Sequence, residues 1–256
     1  MLSPMLSPQV FPLATSVLYF ILGLAFGSFG TVLVTRIPEG RSIMGRSHCV
    51  RCGKTLGALE LIPLLSFAFL RGQCGSCAAR IPWLYPLIEF FSGLLFVLAL
   101  FLEGFAFLPA TLLALTLWSF FLVTVMDAQT GYVSDYLSFP FLALGVAYAF
   151  FSPPLQLAAP LIGAGVFAVQ WGVSRGFWVG SGDIIVGAAM GFLLRDWRLL
   201  VVALFLSYII GTLVAVTLML LKIKSLKDRM VFVPFLFVGT LLTMLFGYTI
   251  LDWYAL

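Results

Sequence analysis

Two carboxylates stand in this chain where an apolar sequence has little reason to carry them. Asp183 follows Val179-Gly180-Ser181-Gly182 and leads into the apolar run Ile184 to Leu194, and Asp127 ends the run Leu112 to Met126. A carboxylate at the edge of such a run is expensive to bury, so inside a membrane it is a functional candidate by default. Two of them at one face can share a proton. The ionised member then acts as base on a water and the protonated member polarises a carbonyl, which is the chemistry of peptide hydrolysis. Either Asp taken alone reads equally well as a helix cap in the headgroup region. Gly180 and Gly182 suit a tight entry into the helix and close approach of a substrate chain. Asp135 is a third acid nearby, and its place before Tyr136-Leu137 favours an N-cap.

The second constellation is sulfur. Cys49-Val50-Arg51-Cys52 and Cys74-Gly75-Ser76-Cys77 are two C-x-x-C pairs with 21 residues between them, close to four-thiolate zinc spacing. The two halves repeat weakly, each second Cys being followed by a small residue and, four positions on, by Leu56 or Ile81. Thiols in a cytoplasmic loop stay reduced. Zinc would supply the folding energy that a short basic loop lacks; vestigial or redox-active cysteines are the alternatives. His48, the single histidine, adjoins Cys49 and is read as a neighbour, not a ligand.

The elements that must position these groups follow from composition. Of 256 residues 62% are hydrophobic and 9% charged, and mean hydropathy is +1.14. Soluble domains carry roughly 25% charged residues. The chain is therefore read as an all-α, polytopic membrane helix bundle of about eight transmembrane spans with a small four-cysteine loop domain. The expected spans are 14–35, 84–102, 108–126, 136–151, 155–174, 184–194 (or, with 179–182 added, 179–194), 199–221 and 231–251. Residues 1–13 lack the basic start of a cleaved signal peptide and read as a short irregular segment on the outer side.

Charge sets the orientation. Arg36, Arg41, Arg46, Arg51, Lys54, Arg71 and Arg80 face only Glu39 and Glu60 between the first two spans, which puts that loop in the cytoplasm. With both termini outside, only Arg195 and Arg198 of the 14 Lys and Arg fall on the outer side. Lys222, Lys224, Lys227 and Arg229, with Asp228, form a second cytoplasmic loop. Asp127, Asp135 and Asp183 then share the cytoplasmic face. Leu61 to Leu70 is apolar but too short to span and belongs at the interface or beneath the bundle. Gly23, Gly27 and Gly30 form a small-residue face for another helix. No basic or acidic tail suggests nucleic acid. The expected domains are 1–35 (outer N-terminus and first span), 36–83 (cytoplasmic zinc-type loop) and 84–256 (transmembrane catalytic part).

Nearly the whole chain resembles the type IV prepilin peptidases, membrane aspartic proteases of the G-x-G-D class. Gly27-Ser28-Phe29 with Arg36-Ile37-Pro38, Ser47-His48-Cys49 to Cys52-Gly53, Glu60-Leu61-Ile62-Pro63 and Leu70-Arg71-Gly72-Gln73-Cys74 resemble the family's early segments. Tyr85-Pro86-Leu87-Ile88-Glu89, Asp127 with Asp135-Tyr136-Leu137, Gly180-Ser181-Gly182-Asp183, and Pro234-Phe235-Leu236 resemble the later ones. The resemblance implies Asp127 and Asp183 as the catalytic pair. It implies prepilin or pseudopilin substrates, cut on the cytoplasmic side of a bacterial inner membrane, in type IV pilus or type II secretion systems. It further implies methylation of the new N-terminus with S-adenosylmethionine, with Glu60 and Gly72 as candidate methyltransferase residues in the zinc loop domain.

A prepilin leader is basic, like this chain's own loops, so attraction between those surfaces cannot be the main source of binding. The expectation is that the substrate's hydrophobic helix docks sideways on Gly180, Gly182, Gly187 and Gly191. Glu89 and Asp135 are candidates to hold the leader's charge, with pairing of Glu89 to Arg36 or Arg80 as the alternative. The chain departs from the family at Ile185, where Lys is usual, at Val231 and Val233, where Pro and Gly are usual, and in lacking Pro before Asp135. A proton-coupled transporter or zinc-bearing scaffold is the rival class, although no internal repeat of the spans supports it. The four-cysteine loop argues against a protease of the presenilin type.

Overall fold

The computed structural model of the chain describes residues 10–154, 156–223 and 230–253. These residues form nine α-helices and no named strand: α1 (Val10–Arg36), α2 (Leu65–Phe69), α3 (Leu84–Leu102), α4 (Phe107–Thr130), α5 (Asp135–Phe151), α6 (Ala158–Ser174), α7 (Ser181–Leu194), α8 (Trp197–Leu220) and α9 (Val233–Trp253). All except α2 are apolar helices of 14 residues or more and match, in order, the eight apolar runs of the sequence. Helices α1, α3, α4, α8 and α9 are long and apolar enough to cross a membrane, whereas α5, α6 and α7 have 17, 17 and 14 residues. Fourteen residues rise about 21 Å, short of a hydrocarbon core of about 30 Å. The expected irregular segment 1–9, Leu155, and the basic-loop residues Lys224, Lys227, Asp228 and Arg229 lie outside the described residues.

Three boundaries differ from expectation in ways that matter for the acids. Helix α4 does not stop at Asp127 but continues to Thr130, where Gly131 at φ +65° ends it and its N–H bonds to the Asp127 carbonyl at 2.7 Å. Asp127 is thus in the last turn of a helix. The N-cap of α5 is Ser134, and Asp135 is the exposed first helical residue, not the cap. Helix α7 begins at Ser181, so Asp183 lies inside its first turn.

The chain forms two compact units, residues 1–118 and 119–256, with α4 contributing its first half to one and its end to the other. In the first unit α1 packs on α3 through glycine. A Cβ at Gly23 would lie 2.6 Å from the Ser92 carbonyl oxygen, and one at Gly27 would lie against the Glu89 Cα. The side of α1 read as a small-residue face is therefore the one that meets α3, with Gly30 also buried. Tyr19 on α1 bonds the Thr111 hydroxyl of α4 at 2.8 Å, and Phe26 packs edge-on against Trp118.

In the second unit α7 is the central helix, packed by α5, α6, α8 and α9. Most of its residues are buried, and they are small: Gly182, Gly187, Ala189 and Gly191 among them. Gly187 faces Gly163 so closely that a Cβ on either would strike the other's backbone, and Gly191 abuts Pro160. The sideways docking of a substrate helix on Gly187 and Gly191 is therefore excluded, because α6 already occupies that face. The end of α4 joins this unit through Phe120, stacked on Phe141 of α5 at 4.5 Å and edge-on to Phe237 of α9 at 5.2 Å. Arg195 closes α7 in a left-handed conformation, donates to the Ser152 carbonyl at 2.6 Å and lies over the Tyr148 ring. A basic residue on the expected outer side is thus a staple between α7 and α5.

These glycine contacts predict opposite outcomes at two helical glycines. Gly27→Val should overpack the α1–α3 contact and lower stability by about 1–3 kcal/mol. Gly165→Ala on α6, where a Cβ meets nothing within 4 Å, should hold or raise it. Thermal unfolding in detergent checks both.

Candidate active site and metal centre

Asp127 and Asp183 are both buried, at 4% and 6% relative exposure, in a unit whose other buried polar residues are all Ser or Thr. A buried carboxylate needs hydrogen-bond donors, and each receives one from the start of a helix. Asp127 Oδ2 accepts from the Val233 N–H at the start of α9, at 3.1 Å. Asp183 Oδ2 accepts from the Gly180 N–H at 2.8 Å, reaching back from the first turn of α7 to its cap. The first turns of α9 and α7 have amides with no partner inside the helix, and their dipoles favour a nearby anion. The two acids lie within electrostatic reach of each other. Each therefore has one oxygen fixed by backbone, and the pair is brought together by α4, α7 and α9.

The glycines before Asp183 serve differently from expectation. Gly180 is extended at φ −79°, and neither it nor Gly182 has a positive φ. What Gly182 provides is space: a Cβ there would lie 2.8 Å from Val133 Cγ1. At Gly180 a Cβ would meet the Asp183 carboxylate at 3.6 Å and the Gly182 nitrogen at 3.9 Å, both ordinary van der Waals contacts. Asp135 is exposed at the start of α5.

Sequence reading missed the donor to Asp127. Pro234 sits in the first turn of α9, where it has no N–H to offer, so the preceding Val233 amide is the one aimed at the acid. The signal was present as Val233-Pro234, an amide followed by a helix-starting proline. Tyr208 on α8 was also missed. It accepts from Gln170 Nε2 at 2.7 Å, packs on Phe232 and lies within the field of Asp183. A lone Tyr in an apolar span gives no such signal.

In the first unit the four cysteine sulfurs all lie within 4.8 Å of one another, and Cys49 and Cys77 are 3.8 Å apart. Tetrahedral ligands at about 2.3 Å from zinc stand about 3.8 Å apart, so the set fits a four-thiolate metal site. The weak sequence repeat is a structural repeat. Cys49 N–H bonds the Lys54 carbonyl at 2.9 Å and Cys74 N–H bonds the Ala79 carbonyl at 2.8 Å, followed by matching Gly53-to-Cys49 and Ala78-to-Cys74 bonds. Gly53 and Ala78 both take positive φ. Each turn aims amides at its first sulfur. The Cys52 and then Arg51 N–H groups lower Cys49 to about 6, and the Ser76 and then Cys77 N–H groups lower Cys74. Backbone shaped to stabilise thiolate is what a metal site needs. His48 is exposed, with Nδ1 3.4 Å from the Arg46 carbonyl, and stands outside the sulfur cluster.

Beside the sulfurs lies a cavity of about 200 Å³ whose lining includes Ser28, Glu60, Tyr85 and Glu89. Glu60 accepts from the Gly57 N–H at 2.9 Å and pairs with Lys54 at 2.9 Å, and these two groups hold it below the usual carboxylate range. Gly72 does not line this cavity; it turns the chain at φ +69° beneath Phe67. Glu89 accepts from the Leu64 N–H at 2.8 Å, and among the described residues neither Arg36 nor Arg80 pairs with it.

Residues 21–102 match the family described as Bacterial Peptidase A24 N-terminal domain, and residues 114–216 match the Type IV leader peptidase family. A prepilin leader peptidase/N-methyltransferase of Bacillus subtilis is 34% identical over 92% of this chain and 96% of its own length. Proteins of the same name from Aeromonas salmonicida and Pseudomonas aeruginosa are 31% and 30% identical, covering 93% and 92% of this chain and 92% of their own length. The chain belongs to the type IV leader peptidase family. No solved structure matches it. As a family member with five long apolar helices it is a multi-pass membrane protein. The N-terminal family region carries the cysteines, Glu60 and Glu89, and the leader peptidase region carries Asp127 and Asp183.

The two glycines of Gly180-Ser181-Gly182-Asp183 should separate by size alone. Gly182→Ala is expected to push on Val133, displace Asp183 and lower the unfolding midpoint. Gly180→Ala should leave that midpoint within error. Thermal unfolding of the two variants side by side measures the difference.

Proposed function

We propose that this protein is a membrane-embedded aspartic endopeptidase that removes the leader from prepilins or pseudopilins and then methylates the new N-terminus. The observation that carries the peptidase half is the pair of buried carboxylates, each with one oxygen held by a backbone amide. One of Asp127 and Asp183, ionised, draws a proton from a water, while the other, protonated, donates to the scissile carbonyl oxygen. The water oxygen bonds to the carbonyl carbon, the C–N bond breaks, and the leaving amine takes a proton from the dyad. The fixed oxygens keep both acids oriented, so the remaining oxygens are directed at water and substrate. Gly180 and Gly182 support the entry to Asp183, and Asp135 stands by as an exposed charge for the leader. The family is one of peptidases, which disfavours the transporter and scaffold readings.

The names of the relatives support methyl transfer as the second activity. S-adenosylmethionine would supply an electrophilic methyl group on a sulfonium. Of the first-unit cavity's side chains, Glu60 would stand beside that cation while sharing its charge with Lys54, and Gly72 shapes the turn that carries Phe67; Arg36, Arg41 and Arg80 also line the cavity. Zinc held by Cys49, Cys52, Cys74 and Cys77 would fix the loop, with no part in the chemistry. We further read the eight apolar helices as eight spans in a bacterial inner membrane. Loop 36–83 and both catalytic acids then face the cytoplasm, a reading that the excess of basic residues in that loop supports.

Asp127→Asn or Asp183→Asn should abolish cleavage of a pilin-like substrate without loss of membrane insertion, whereas Asp135→Asn should cost far less; gel-based cleavage by each variant in membranes checks this. For the loop, purified protein should contain one zinc per chain. Cys74→Ser should lower that content and the yield of folded protein before it affects peptide cleavage, as metal analysis beside the cleavage assay will show.

A further inference from the structure

The first-unit cavity holds a carboxylate that the peptidase mechanism does not use. Glu89 lies in the second turn of α3 and lines the cavity with Ser28, Thr31, Glu60, Ser66 and Tyr85. One of its oxygens is held by the Leu64 N–H at 2.8 Å, and Ser28 lines the cavity with it. The Leu64 amide reaches it through an unusual turn. Leu64 has φ +59° and ψ −47°, and the Leu65 N–H bonds the Pro63 carbonyl at 2.6 Å, which together make a γ-turn of the rare, strained kind.

Charge separates the two acids of the cavity. Glu60 is neutralised by Lys54. Among the described residues Glu89 has no cationic partner. Arg36, Arg41 and Arg80 line the same cavity, but Arg36 donates its Nη1 to the Ser42 and Met44 carbonyls, Arg41 pairs with Glu39, and among the described residues no ion pair joins Arg80 to Glu89. A half-buried carboxylate without a counter-charge is costly unless a cation arrives with the ligand.

We propose that Glu89 binds the α-ammonium of the peptide released by leader cleavage and takes its proton ahead of methylation. This rests on the peptidase and methyltransferase reading given above. The position of Glu89 selects this cation over the methyl donor's own. The new N-terminus is attached to a hydrophobic segment and approaches at the level of the membrane, where α3 carries Glu89. A soluble donor approaches from the loop that carries Glu60. The ammonium gives its proton to the Glu89 carboxylate, and the freed nitrogen lone pair forms the N–C bond to the methyl carbon. The S–C bond breaks as its electron pair returns to sulfur, leaving a neutral thioether. The proton then passes from Glu89 to water.

Glu89→Gln separates this role from a packing role, because Gln still accepts from the Leu64 N–H but carries no charge. The probes are a synthetic peptide with a free α-amino group before a hydrophobic run and the same peptide N-acetylated, competing for binding to the detergent-solubilised protein. The unaltered protein should prefer the free amine by at least about tenfold, and Glu89→Gln should lose that preference with its unfolding midpoint maintained. In the methyl-transfer assay the variant should show a raised KM for the peptide and an unchanged KM for S-adenosylmethionine. Glu89→Asp, which keeps the charge, should retain most of the preference. An unchanged preference in Glu89→Gln would overturn the proposal, as would equal loss in both variants together with a lowered midpoint. Should the unaltered protein methylate nothing, the methyltransferase reading fails. The free-amine preference would then still decide the ammonium site by itself.

Discussion

The constraint on which this structure turns is that a carboxylate buried in an apolar helix bundle must be given backbone donors. The bundle has few to spare, because helix interiors consume their own amides. Unused N–H groups exist only at helix starts. Asp127 and Asp183 are each held by such an amide, Val233 of α9 and Gly180 at the cap of α7. The dyad therefore exists only if two helices begin beside it, and the lengths of α7 and α9 and the chain reversals before them follow from that need. A helix longer by one turn at the start of α7 would use the Gly180 amide internally and leave Asp183 unsupported.

Close packing delivers those helix starts to one place. Helix α7 is short and lined with small residues, so α6 approaches it nearly backbone to backbone at Gly163, Gly187 and Gly191, and α5 comes close through Gly145, where a Cβ would lie 3.3 Å from the Ala189 carbonyl oxygen. The same device joins α1 to α3 at Gly23 and Gly27, and there it brings α1 against the backbone of Glu89. In both units a glycine contact fixes the helix that carries an acid. The acids differ in what surrounds them: Asp127 and Asp183 lie buried in the second unit, whereas Glu89 lines a cavity beside a four-cysteine cluster built from two matching turns.

Much of this was legible in the sequence because it is written in composition and spacing. Apolar runs predicted the order of the five long and three shorter apolar helices, and two C-x-x-C pairs predicted a sulfur cluster that closes on itself. What the sequence hid are contacts between elements far apart in the chain. The Val233 amide is 106 residues from Asp127 and is a backbone group, so no side-chain pattern announces it. The glycines of α7 looked like a surface for a substrate helix, and only the neighbouring α6 reveals that they are interior. Asp135 looked like a cap because Asp commonly is one, yet Ser134 takes that position and leaves Asp135 exposed. Glu89 read either as a holder of the leader's charge or as an arginine partner, and the Leu64 amide that does reach it is a backbone group 25 residues away that no side-chain pattern announces.

The account stands or falls on Asp127 and Asp183 acting as one device. Cleavage rates of Asp127→Asn, Asp183→Asn and the double variant, compared on one pilin-like substrate, test this most directly. Residues that work as a unit show losses that do not add. The account predicts that the double variant is no slower than either single variant, all three sharing the same residual rate. Losses that multiply in the double variant, or full activity in either single variant, would contradict it.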